Sequence, residues 1–125
     1  MKHKIEIEDI FSSSVKVLYN RLSTTGGLAE WFADDVDQKG DIFTFTWKDS
    51  EQDAELIEMI PNTSIKFRWL DAEEEEEYFE FVIKQDSLTG DIALLITDFV
   101  DEDEQDDAVY LWDKHLDKLH RILGA

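Results

Sequence analysis

A chain of 125 residues can bury a core of its own, and the absence of any cysteine excludes disulfides, thiolate catalysis and cysteine-bound zinc. Thirty-one acids against twelve bases give a formal net charge of −19, which repels phosphates and anionic bilayers and excludes nucleic acid and membrane as partners. With 42% hydrophobic residues, the acidity belongs to a packed protein rather than a disordered one.

The N-terminus, Met1 to Glu8, alternates charged and apolar residues and holds no apolar signal-peptide region. No apolar run approaches the roughly 20 residues that span a bilayer. The expectation is therefore a cytoplasmic chain, in which the Asn62-Thr63-Ser64 sequon carries no weight.

Residues 3–11 alternate, with Ile5, Ile7 and Phe11 apolar, and read as a strand. Ser12 to Ser14 offer N-caps for a helix whose stripe is Val15, Leu18, Tyr19 and Leu22. Thr24-Thr25-Gly26-Gly27 is read as a break, and a second short helix carries Leu28, Trp31 and Phe32. The period then changes to two. Phe43, Phe45 and Trp47 share one strand face, and residues 53–60 form a less regular strand around Ala54, Leu56 and Ile60. Beyond the Pro61-Asn62 turn, Ile65, Phe67 and Trp69 alternate, then Phe79, Phe81 and Ile83. Residues 91–99 form a last strand, apolar enough at Ile92 to Ile96 for burial on both faces, and Gly40 and Gly90 mark tight turns. The closing helix carries Val109, Trp112, Leu116, Leu119 and Leu123, with Asp106 and Asp107 at its start, Arg121 near its end and Gly124 as C-cap.

Strand, two short helices, about six strands and one long helix make an α+β pattern. Residues 1–125 read as one domain without repeat or linker.

The segment Val17 to Thr24 running into Gly27-Leu28-Ala29-Glu30-Trp31-Phe32-Ala33, with Gly40-Asp41-x-Phe43, Ile65-x-Phe67-x-Trp69 and the closing helix, resembles the START-like, or SRPBCC, superfamily. Within it, Leu28-Ala29-Glu30-Trp31-Phe32 is similar to a step found in small bacterial proteins related to the ATPase activator of the 90-kilodalton heat-shock chaperone. The resemblance spans nearly the whole chain, but its motifs are packing motifs. It implies a helix-grip fold: a curved antiparallel sheet of about seven strands around the C-terminal helix, often with an apolar ligand cavity between them. Members include lipid carriers, aromatic cyclases, hormone receptors and chaperone regulators, so fold leaves function open.

Pocket candidates between sheet and last helix are Phe43, Phe45, Trp47, Leu56, Phe67, Trp69, Phe79, Phe81, Trp112 and Leu116, an apolar set suited to a small molecule. Rings this large can equally fill the core and close the cavity. His115 and His120 stand five apart on one helix, share no face and cannot form a metal pair, so no metal site is expected. His115 reads as a structural histidine at the edge of the helix–sheet interface. No nucleophile elbow, Walker loop or dinucleotide fingerprint occurs, no catalytic residue can be named, and no cofactor is expected. Asp98 reads as an outward carboxylate at a strand end; turned inward it would be desolvated, with a raised pKa.

In the meander that the resemblance implies, the loops after the third, fifth and seventh strands share one edge and collect fifteen of the thirty-one acids. Candidates there for a basic protein partner are Asp71, Glu73, Glu74, Glu75, Glu76, Glu77, Asp101, Glu102, Asp103 and Glu104. They can also be solvated loops that maintain solubility. Three readings follow: a non-catalytic binder of an apolar or aromatic small molecule, a protein-interaction module using the acidic edge, and a cyclase-like enzyme.

Overall fold

The computed structural model describes residues 2–71 and 77–124. In chain order these form β1 (Lys2–Phe11), α1 (Val15–Ser23), α2 (Thr25–Trp31), β2 (Asp35–Lys39), β3 (Ile42–Trp47), β4 (Ser50–Ile60), β5 (Ser64–Trp69), β6 (Tyr78–Gln85), β7 (Ile92–Asp101), a 3₁₀ turn (Glu102–Glu104) and α3 (Gln105–Leu123). The seven strands pair antiparallel in the order β1-β7-β6-β5-β4-β3-β2, so β2 to β7 form a meander and β1 closes on β7. This is the helix-grip α+β architecture, with α3 packing Trp112, Leu116 and Leu119 inward. Among the described residues no helix is long and apolar enough to cross a membrane.

Local chemistry sets the helix ends. The Ser14 hydroxyl accepts from the Val17 amide at 3.1 Å and starts α1. Thr24 ends α1 and starts α2 at once: its hydroxyl accepts from the Gly27 amide at 2.9 Å and donates to the Asn20 carbonyl at 2.8 Å. The expected break at Thr24 to Gly27 is thus a single residue, and both glycines lie inside α2. Gly27 is required by space, because a Cβ there would collide with the Asn20 carbonyl. The Trp31 indole donates to the Arg21 carbonyl at 2.8 Å, locking the two helices together.

The core is aromatic. Phe43, Phe45, Phe67, Phe79 and Phe81 are fully buried, and Phe67 stacks on Phe79 at 5.0 Å. Truncating one such ring to Ala costs about 3–5 kcal/mol. Tyr19 reaches from α1 to donate to the Ser64 carbonyl at 2.9 Å, and burial raises its phenol pKa. On the far side of α3, His120 stacks on Phe11 at 4.0 Å and its Nε2 meets Asp9 Oδ2 at 2.8 Å.

Several expectations change. β2 adds a strand that the pattern does not mark, since Val36 is its only buried residue and it shows no alternation. The irregularity of β4 is a bulge between Leu56 and Glu58, which leaves Ile57 and Ile60 exposed. Val109 is exposed on α3, and the second face of β7, at Ala93 and Leu95, is half-buried rather than buried.

Candidate functional site

The antiparallel meander sets the ends of β3, β5 and β7 along one edge of the sheet. A cavity of about 830 Å³ opens there against the first turns of α3. Trp47 ends β3, Trp69 ends β5, and Trp112 faces them from α3, so three of the four tryptophans form its wall. Phe32, just past α2, forms the floor: it stacks on Trp112 at 5.4 Å and meets Trp47 edge-on at 5.6 Å. Ala108 and Leu111 of α3 and Phe99 and Val100 of β7 add to the apolar lining. The Trp47 indole donates to the Phe32 carbonyl at 2.9 Å, and the Trp112 indole to Asp98 Oδ2 at 3.0 Å. Both N–H groups are therefore satisfied within the protein.

The charged lining is mostly acidic: Asp71, Glu77, Asp98, Asp101 and Glu104, with Lys2 the one Lys or Arg on the wall among the described residues. The Lys2 Nζ lies 3.7 Å from Asp101 Oδ1 and 3.9 Å from Glu77 Oε1. Burial raises the Asp98 pKa, against the hydrogen bonds from Trp112 and the Phe99 amide and the charge of Lys2. His115 sits on the wall beside Phe32, at 5.6 Å between rings. Burial lowers its pKa, opposed by a hydrogen bond to the Trp31 backbone. Near neutral pH its imidazole is therefore uncharged and adds no positive charge to the cavity. Among the described residues no group of three or more His, Asp and Glu side chains is placed to hold a metal ion.

A family model described as a START-like superfamily domain matches residues 1–125. The chain belongs to the START-like superfamily. Its fold is similar to that of BfR322 from Bacteroides fragilis, which is 40% identical, with 97% of this chain and 90% of that chain covered and a TM-score of 0.67. The Aha1 dimer from Colwellia psychrerythraea is similar at 18% identity, covering 97% of this chain and 96% of that chain with a TM-score of 0.82. Protein MLL2253 from Mesorhizobium loti follows at 17% identity, with 98% and 97% covered and a TM-score of 0.78. No curated protein matches the chain.

Of the ten pocket candidates in this START-like chain, Trp47, Trp69 and Trp112 come together on the cavity wall. Phe43, Phe45, Phe67, Phe79 and Phe81 lie in the solid core, Leu116 is buried beside them, and Leu56 is half-buried against the core. Of the acidic candidates, Asp71, Glu77, Asp101 and Glu104 line the cavity. Glu77 is buried rather than on an exposed rim. Glu102 faces His3 at 3.7 Å, and Asp103 is exposed away from the wall. Glu73, Glu74, Glu75 and Glu76 lie outside the described residues.

Asp98 is the main correction at the site. It continues the inward face of Ile92, Leu94 and Ile96, paired with buried Ile5 of β1, so it points into the cavity and not outward. That signal was present in the period-two pattern. Phe32 and Ala108 carried no comparable signal.

Proposed function

We propose that this START-like chain is a non-catalytic binding protein, cytoplasmic, that holds an apolar or aromatic small molecule between the sheet and α3. The observation that supports it is the tryptophan-walled cavity of about 830 Å³. Small-molecule pockets occupy about 300–1,000 Å³ and combine apolar walls with a few polar groups. The test is an amide- and indole-resolved NMR titration with fatty acids, sterols and planar aromatics. Saturable shifts at Trp47, Trp69 and Trp112, with core Trp31 unmoved, support the reading. A spectrum that stays fixed for the whole panel rejects it.

A second reading is docking of a basic protein on the acidic edge, favoured by Asp71, Asp101 and Glu104 at one end of the sheet. Binding of that kind weakens steeply with ionic strength. Affinity for a captured basic partner that is flat with salt removes this reading.

A further inference from the structure

We infer that the ligand of this cavity is cationic: a protonated amine carried on an apolar or aromatic body. The inference rests on the binding reading above and adds the charge of the ligand.

Glu77 carries the argument. Its side chain is only 9% exposed, it lines the cavity, and its nearest cation, Lys2, stands 3.9 Å away. That separation is too long for a hydrogen bond, and among the described residues Glu77 accepts none. A carboxylate on so enclosed a side chain gains from a donor or cation that reaches it through the cavity it lines. Lys2 is shared with Asp101 at 3.7 Å and so cannot neutralise both. With Asp98 also on the wall, the enclosed Glu77 and Asp98 and the more exposed Asp101 have one ammonium group among them.

The aromatic wall points to the same ligand. Trp112 is buried against Phe32. Trp47, its indole N–H engaged with the Phe32 carbonyl, and Trp69 beside it are only partly buried and line the cavity, and aromatic rings attract cations. An ammonium group between Glu77 and these rings would gain a charge-assisted hydrogen bond and a cation–π contact together. A carboxylate ligand, such as a fatty acid, would be repelled by the same wall.

The test uses three probes of one shape: naphthylmethylamine, naphthylmethanol and naphthoate, titrated into the full chain. The indole N–H signals of Trp47, Trp69 and Trp112 are followed, with Trp31 as reference. The expected result is saturable binding of the amine, at least about tenfold tighter than the alcohol, and no binding of naphthoate. Glu77→Gln narrows the amine–alcohol gap several-fold; Asp101→Asn, at a more exposed position, gives the same direction should Glu77→Gln fold poorly.

Equal affinities for amine and alcohol, or tighter naphthoate, overturn the charge inference while the cavity reading stands. No saturable binding by any of the three overturns both. A lysine-rich peptide that shifts Asp71 and Glu104 saturably where the amine shifts nothing overturns the small-molecule assignment in favour of a protein partner.

Discussion

The Trp112 indole of α3 donates to Asp98 Oδ2 of β7 at 3.0 Å, and the pair stands on the cavity wall. One hydrogen bond thus ties the gripped helix to the strand that precedes it, 14 residues earlier in the chain. It also holds a largely desolvated carboxylate on that wall, where its protonation state affects stability.

Because burial raises its pKa, Asp98 favours the folded state most when protonated. Its stabilising contribution is complete below the unfolded carboxylate value of about 3.9 and is lost as pH rises through the higher folded value. The melting temperature of the wild type relative to Asp98→Asn should therefore be more favourable at pH 4 than at pH 7. Thermal melts of both proteins across that range check the sign; a constant difference contradicts it.

His115 works in the opposite direction. Burial lowers its pKa, so its contribution is present above the unfolded value of about 6.5 and is lost as pH falls through the folded value. An NMR titration should show the His115 ring protonating below the pH of a free imidazole. A midpoint at or above about 6.5 would mean that Phe32 and Trp112 do not shield the ring as described.

Thr24 caps two helices with one hydroxyl, so Thr24→Ala should destabilise by about 1–2 kcal/mol in denaturant unfolding. Gly27→Ala should cost more than that, since its methyl meets backbone of α1 rather than a movable side chain. A neutral Gly27→Ala would show that the α1–α2 contact has room for a methyl group.

The net charge of −19 and the carboxylates gathered at the cavity predict salt stabilisation of the fold. Raising NaCl from low to moderate concentration should raise the melting temperature. A flat or falling trend would mean that these charges do not repel one another appreciably.

Much of this fold is legible along the chain because periodicity records which face a residue takes. The 3-4-3-4 stripe of α3 and the alternation of β3, β5 and β6 locate the elements that build the core. What periodicity does not record is where along a strand the core ends. Phe43, Phe45 and Trp47 share a face, yet only Trp47, the last residue of β3, reaches the cavity, while Phe43 and Phe45 are fully buried among other core rings. β2 left no pattern, having one buried side chain. Asp98 was legible by alternation from Ile96, and its polarity obscured it.

The measurement that bears most directly on the account is calorimetric titration of the tightest planar aromatic into the wild type and into Ala108→Trp. Ala108 lines the cavity from α3 without belonging to the buried core, so a large ring there fills the binding space and spares the fold. The account predicts an affinity loss of at least about tenfold, roughly 1.4 kcal/mol, with the melting temperature little changed. Unchanged affinity in the folded variant would contradict it.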